Sequence, residues 1–185
     1  MKEKLGQGGD VLAGLAFMAK NNFIHKDIKL ANVLFKREKD HTISTHVSDL
    51  AGAKQLTNKG CCKSTDHDKF SFGVHTSSKT SKAHLSEAKK EFFQGNIDKS
   101  NKILLENDVF AAGILLYEFL TKKKPCVLDD DGYVKEIDFK KNEFSKEVPQ
   151  AIIELIKKML TGKPGEKSIT MEQASQEYDK VMNPK

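Results

Sequence analysis

The sequence predicts a mainly helical domain of the α+β class with one short β-hairpin. Three observations lead to this prediction. Apolar residues recur at helical spacing near both ends of the chain, a central segment is apolar on nearly every side, and two short apolar runs flank a polar turn. A chain of 185 residues can bury its own core, so residues 1–185 are expected to form a single domain.

The N-terminal part of the chain is expected to contain one helix followed by the hairpin. Residues 10–20 carry apolar side chains on one helical face, and Asn21 and Asn22 follow as stop signals. The apolar runs at 33–35 and 43–47 have the length of strands, and the polar turn between them favours their pairing.

Three helices are predicted in the C-terminal half of the chain. Residues 107–120 are apolar nearly all round, which is typical of a helix buried in the middle of a domain. An amphipathic pattern predicts a second helix at 148–160, and a third is expected at 171–182.

Two polar stretches separate these elements. Residues 54–101 have weak periodicity, which is typical of a functional or mobile loop, although 84–93 has helical spacing. Residues 122–147 form a Lys- and Asp-rich connection with a turn in its DDDG segment. No apolar run is long enough to cross a bilayer, and the N-terminus has no signal-peptide core, so we expect no membrane partner.

The composition fits a polar globular domain, with 38% hydrophobic and 31% charged residues and a net charge of +5. Arg37 is the only arginine, so the positive charge comes almost entirely from lysine. Lysine lacks the planar fork that reads phosphates and base edges by two-point contacts. We therefore expect a solvated basic surface and no nucleic-acid partner.

The three cysteines are Cys61, Cys62 and Cys126. They are a poor basis for disulfides because their number is odd and two of them are adjacent. This pattern favours a reducing compartment, and we expect a cytoplasmic protein. No second pair of ligands stands at zinc spacing, so a thiolate metal site is not expected.

The residues best suited to chemistry lie in the segment FIHKDIKLANVLF at 23–35. Asp27, Lys29 and Asn32 follow His25 at the offsets of the motif H-R-D-L-x-x-x-N, with Lys26 where that motif has Arg. A carboxylate can accept a hydroxyl proton, an ammonium group can contact a phosphate in transfer, and amide and carboxylate oxygens can hold magnesium.

Three further segments follow in the same order as in one known family. VSDLAGAK at 47–54 resembles the magnesium-binding segment V-S-D-F-G-L-A-K, and residues 107–125 resemble the motif S-D-V-W-S-x-G-x-x-L-Y-E-L-L-T-G-x-x-P. Residues 155–170 resemble a late helix and turn ending in D-P-x-x-R-P-T. Over roughly 10–182 the sequence resembles the C-terminal lobe of eukaryotic-type protein kinases.

The resemblance implies a role for each matching residue. Asp27 would accept or orient the proton of the substrate hydroxyl, and Lys29 would contact the moving phosphate and favour Ser/Thr over Tyr substrates. Asn32 and Asp49 would be ligands of Mg²⁺. Leu34 would form part of the floor under the adenine ring of ATP, although the residue alone is equally typical of an ordinary core leucine.

Other matching residues would support the site. His25 would pack beneath it, and Asp108 would hydrogen-bond the catalytic loop from the central helix. Leu50 and Ala51 stand where the family has Phe-Gly, and Leu50 would keep the packing role. The resemblance also implies an activation-segment-like region at about 49–100. Lys26 replaces the Arg that reads an activation-loop phosphate in many kinases, which argues against that mode of activation.

The resemblance implies a phosphotransferase that moves the γ-phosphate of ATP to Ser or Thr of a protein, with nucleotide and Mg²⁺ as cofactors. Only 24 residues precede His25, which leaves no room for the nucleotide-binding N-lobe. The chain is therefore expected to be a fragment or a minimal kinase, with a missing N-lobe or an activating partner elsewhere. The alternative is a catalytically silent, pseudokinase-type scaffold. Resemblance to bacterial effector kinases adds the alternative of secretion into a host cytosol.

Overall fold

The computed structural model describes residues 1–57, the backbone of 60–61, and residues 79–166 and 168–184. Five α-helices lie within these ranges. They are α1 (Lys2–Lys20), α2 (Lys82–Phe93), α3 (Ile97–Thr121), α4 (Gln150–Leu160) and α5 (Met171–Met182). None of the helices in the described ranges is both long and apolar enough to cross a bilayer.

Seven short strands accompany the helices in the described ranges. They are β1 (Phe23–Ile24), β2 (Val33–Arg37), β3 (Ile43–Val47), β4 (Lys54–Thr57), β5 (Gly60–Cys61), β6 (Cys126–Leu128) and β7 (Val134–Ile137). All the pairs are antiparallel: β2 with β3, β4 with both β1 and β5, and β6 with β7. Val33 lies opposite Val47, which sets the register of the hairpin beside the candidate site.

The long helix α3 is the central element of the core. It packs against α1, α2, α4 and α5, so its side chains are buried on almost every side. Most of the buried apolar residues form one cluster around it, and a smaller cluster lies where α2, β1 and β4 meet α3. Among the largest fully buried side chains are Leu12, Ile114, Leu116, Tyr117, Ile152, Ile156 and Tyr178.

The predicted helix at 10–20 is correct but too short, because α1 begins at Lys2. Its first half contains Gly6, Gly8 and Gly9, which have low helix propensity. Tertiary packing explains why this part is helical: α5 lies across it, and the hydroxyl of Tyr178 donates a hydrogen bond to the carbonyl oxygen of Leu5 at 2.8 Å.

The central helix is also longer than predicted. It begins at Ile97 rather than near 107, because Ile103 and Leu104 pack into the smaller cluster with α2. Within the predicted loop at 54–101, the structure has α2 over the segment that showed helical spacing. Residues 58–59 and 62–78 of that loop lie outside the described residues.

The connection at 122–147 contains a hairpin that the sequence did not indicate. Strands β6 and β7 flank a turn at Asp129–Gly132, so the turn was predicted correctly and the strands were missed. The hairpin at 33–47 and the helices α4 and α5 agree with the prediction to within two residues at each end. The predicted mainly helical fold with small sheets is therefore found, with more strand than expected.

Candidate active site

The residues of the first two kinase-like motifs, at 23–35 and 47–54, lie in and next to the β2–β3 hairpin. Strand β1 ends at Ile24 and leads into the catalytic-loop segment, which closes with a 3₁₀ turn at Leu30–Asn32 before β2. Asp49 follows β3 on the neighbouring strand end. Because Val33 and Val47 face each other in the ladder, the two loop segments leave the hairpin side by side.

Three of the predicted site residues contact one another. The ammonium of Lys29 donates to Oδ2 of Asp27 at 2.7 Å, and the side-chain amide of Asn32 donates to the same oxygen at 3.0 Å. Asn32 also donates to the backbone carbonyl of Asp27 at 2.8 Å. These contacts fix the Asp27 carboxylate, whose side chain remains 18% exposed, while Lys29 is 33% exposed.

His25 lies fully buried beneath this trio. Its Nε2 lies 3.1 Å from the carbonyl oxygen of Ser48, and its Nδ1 accepts from the backbone N–H of Asp27 at 3.3 Å. These partners assign the Nε2–H tautomer, because a carbonyl can only accept. The imidazole therefore joins the Asp27 loop to the segment that carries Asp49.

Asp49 is held close to Asn32 through its neighbour Ser48. The backbone N–H and the hydroxyl of Ser48 both donate to the carbonyl oxygen of Asn32, at 2.8 and 2.9 Å. Ser48 was not among the residues predicted from the sequence, although it directly precedes Asp49 in the VSDL motif. The hydrogen bonds of this serine bring the two predicted metal ligands into the same part of the structure.

Asp108 anchors the catalytic-loop segment to the core, as predicted. From α3 its carboxylate accepts the backbone N–H of His25 at 2.6 Å and that of Lys26 at 3.2 Å. Burial raises the pKa of Asp108 to about 6, and the two hydrogen bonds act in the opposite direction. The neighbouring Asn107 accepts the backbone N–H of Ser81 at 3.2 Å, so α3 also fixes the start of α2.

Two residues of the site have a left-handed backbone. Lys26 has φ of 72° and Asp49 has φ of 60°, a region that residues other than glycine seldom adopt. Such conformations cost of order 1 kcal/mol or more and persist where the surrounding contacts enforce them. The Asp108 hydrogen bond to Lys26 and the Ser48 contacts next to Asp49 provide that enforcement.

Leu50 does not have the packing role expected of it. It lies in the 3₁₀ turn Leu50–Gly52, none of whose residues is buried, and its side chain is 55% exposed. Leu34 is 56% exposed, which rules out the alternative of an ordinary core leucine. Both apolar side chains therefore lie on the surface close to the catalytic-loop segment.

The donor set of the site fits magnesium better than zinc. Both described contacts of the Asn32 amide nitrogen go to Asp27, which leaves the side-chain oxygen Oδ1 of Asn32 for a cation, and the exposed Asp49 adds a carboxylate. Magnesium binds through one or two such oxygens plus water and phosphate. In the part of the chain that the structure describes, no group of three or more His, Cys, Asp or Glu could hold a metal.

The chain matches the family model of the protein kinase domain over residues 7–178. This match extends from α1 to α5 and includes every site residue described above. The chain belongs to the protein kinase family.

A curated relative of this kinase-family chain is the calcium-dependent protein kinase 6 of Plasmodium berghei (strain Anka), to which it is 30% identical over 115 residues. The alignment covers 62% of this chain and 6% of the relative, so the chain spans a small part of that protein's length.

Proposed function

We propose that this kinase-family chain transfers the γ-phosphate of ATP to Ser or Thr of a protein, alone or with a partner. The observation that carries the proposal is the hydrogen-bonded trio of Asp27, Lys29 and Asn32 at the end of the hairpin. Phosphoryl transfer depends mainly on positioned charges, and these side chains are positioned by direct contacts and by the buried Asp108 behind them.

Each member of the trio has a chemical role in the proposal. The partly exposed carboxylate of Asp27 orients the substrate hydroxyl and accepts its proton. Lys29, held beside it, contacts the phosphoryl oxygens, and in the family this lysine accompanies Ser/Thr substrates. Asn32 holds the Asp27 side chain through its amide nitrogen, and its side-chain oxygen Oδ1 is the proposed donor to the metal.

Asn32 and Asp49 are the proposed ligands of Mg²⁺, and the exposed Leu34 is the proposed contact for the adenine ring. When bound, Mg²⁺ neutralises charge on the β- and γ-phosphates. The proposal includes a partner segment that supplies the remaining nucleotide contacts.

Substitution of Asp27→Asn tests the proposal. It keeps the size of the side chain but removes the proton acceptor, so we expect the rate of phosphate transfer to fall by about 10²- to 10⁴-fold. The measurement is incorporation of radioactive phosphate from ATP into Ser/Thr-containing protein substrates. The matched control is Asp130→Asn, which removes one exposed carboxylate from the β6–β7 turn. Equal labelling by the parent and Asp27→Asn would refute the proposed role.

A catalytically silent scaffold is the second candidate. Leu34 and Leu50 favour it, because both expose more than half of their apolar side chains and exposed apolar surface is typical of interaction sites. Thermal unfolding with increasing Mg-ATP separates the two candidates, since a ligand that binds only the folded chain raises its melting temperature. A rise that Asp49→Asn abolishes would favour the enzyme, and no rise would favour the scaffold.

A further inference from the structure

A cluster of two cations and two aromatic rings lies outside the candidate active site. The ammonium groups of Lys4 in α1 and Lys122 at the end of α3 are 5.1 and 5.9 Å from the centre of the Phe119 ring. The Phe119 ring in turn stacks on Phe35 of β2, with 6.1 Å between ring centres and 27° between planes. Phe35 is 50% exposed, so the cluster opens to solvent.

The two ammonium groups have no carboxylate partner among the described residues. Among the described residues, the ammonium of Lys4 donates to the carbonyl oxygen of Leu120 at 3.4 Å, and the ammonium of Lys122 contacts the Phe119 ring. A ring face attracts a cation but does not neutralise its charge. The adjacent Lys123 differs, because it forms an ion pair with Glu143 at 3.3 Å.

Repulsion between the ammonium groups of Lys4 and Lys122 also disfavours this arrangement. The pKa of Lys4 is lowered by burial and then by the nearby charge of Lys122. The partly buried ammonium of Lys4 and the exposed ammonium of Lys122 therefore form a site that an anion would neutralise.

The backbone conformation of Lys122 is also energetically unfavourable. This residue caps α3 in the left-handed conformation, with φ of 66° and ψ of 15°. Glycine is the usual residue at such a helix end because a side chain is strained there. The backbone conformation of Lys122 is therefore unfavourable in the ligand-free protein, and strained residues of this kind cluster at binding sites.

The geometry points to an oxyanion-binding site at Lys4 and Lys122, with the Phe35–Phe119 pair as its apolar side. The ligand would place a phosphate or carboxylate group between the two ammonium groups and rest an apolar part on the exposed ring of Phe35. Ammonium groups are strong donors to either oxyanion. This site does not depend on phosphate transfer at Asp27.

Binding of small anions tests the inference. Thermal unfolding of the full chain would be followed against pyrophosphate in one arm and citrate in the other, at constant ionic strength and without added metal. We expect a rise in melting temperature with at least one anion, and the arm with the larger rise identifies phosphate or carboxylate as the preferred group. No rise in either arm would overturn the inference.

Matched variants locate the effect. Lys122→Gln should weaken anion binding about tenfold, as expected for loss of one charge-assisted contact, and Lys4→Gln should do the same. Lys123→Gln removes the same charge from the next position and should leave binding within about twofold. Equal effects of Lys122→Gln and Lys123→Gln would show a general charge effect and overturn the inference.

A glycine variant gives an independent readout. Lys122→Gly removes the strained side chain and the like-charge contact, so this variant should melt at a higher temperature than the parent without anion and bind anion about tenfold more weakly. A variant that kept the full response would contradict a binding role for Lys122.

Discussion

At the scale of single residues, the carboxylate of Asp108 links the core to the catalytic-loop segment. It accepts two backbone N–H groups from residues more than 80 positions earlier in the chain. Asp108→Asn would replace one carboxylate oxygen, which accepts a backbone N–H, by an amide NH2 group, which can only donate. We expect the free energy of unfolding to fall by about 1–3 kcal/mol, because buried donors lose their partner. Chemical denaturation measures this change.

Asp130→Asn is the control for that measurement. Asp130 is exposed in the β6–β7 turn, and substitutions at such positions usually change stability by about 0.5 kcal/mol or less. If Asp108→Asn were no more destabilising than Asp130→Asn, the two hydrogen bonds of Asp108 would not contribute to stability.

His84 in α2 gives the protein a pH dependence with a defined sign. Burial lowers the pKa of its imidazole from 6.5 to about 4. The unfolded chain therefore takes up a proton below about pH 6.5 while the folded chain does not, so stability is lost as the pH falls from 6.5 towards 4. Between pH 7.5 and pH 5, the titration of His84 should lower the free energy of unfolding by about 2 kcal/mol.

The comparison with His84→Leu isolates this contribution. We expect the parent to lose about 2 kcal/mol more than the variant between the two pH values, as measured by denaturant unfolding. The raised pKa of Asp108 acts in the opposite direction, because the folded state takes up this proton at a higher pH than the unfolded chain. Asp108 is present in both the parent and His84→Leu, so its contribution cancels in the comparison. Parallel pH profiles would show that His84 titrates normally in the folded state.

Single residues also show what the sequence could supply at the site. The motif spacing was enough to select Asp27, Lys29 and Asn32, and the structure brings these three into direct contact. Motif spacing could not select Ser48, because the importance of that side chain comes from a hydrogen bond across the hairpin. Nor could it show that Leu50 is exposed, since exposure depends on which elements cover it.

At the scale of elements, helix α1 shows close packing overriding local preference. A Cβ at Gly8 would lie 2.7 Å from the hydroxyl oxygen of Tyr178, whereas one at Gly6 would meet nothing within 4 Å. Gly8→Ala should therefore destabilise the protein by about 1–3 kcal/mol, through overpacking and loss of the hydrogen bond from Tyr178 to Leu5. Thermal or denaturant unfolding measures the change.

Gly6→Ala is the matched control in the same helix. With open space around the added methyl group, the higher helix propensity of alanine should stabilise the protein by about 0.5–1 kcal/mol. The two substitutions are chemically identical, so opposite signs would come from packing alone. If both were stabilising, the contact between α1 and α5 would be looser than described.

The amphipathic elements were the most predictable. Helix α4 buries Ile152, Leu155, Ile156 and Met159, the apolar face that its spacing indicated. Strands β6 and β7 were missed because they have only three and four residues, and their exposed side chains weaken the alternation that identifies a strand.

At the scale of the whole molecule, α3 joins the two apolar clusters. Its middle section is buried on all sides, while the β2–β3 hairpin exposes most of its residues. We expect the backbone amides from Val109 to Leu116 to show the slowest hydrogen exchange in the protein, because opening them requires disruption of the main cluster. Exchange followed by mass spectrometry measures this, and slower exchange in the hairpin would contradict the central role of α3.

The sequence by itself determined the family, the mainly helical class and the trio around Asp27, since these follow from motif order, periodicity and spacing along the chain. Only the tertiary structure decided that α1 is helical through its glycines, that Ser48 joins the two site segments, and that Lys4 and Lys122 meet at one ring. The physical reason is distance in sequence. A local pattern records what a residue prefers, whereas packing and hydrogen bonds between remote segments decide what it contacts.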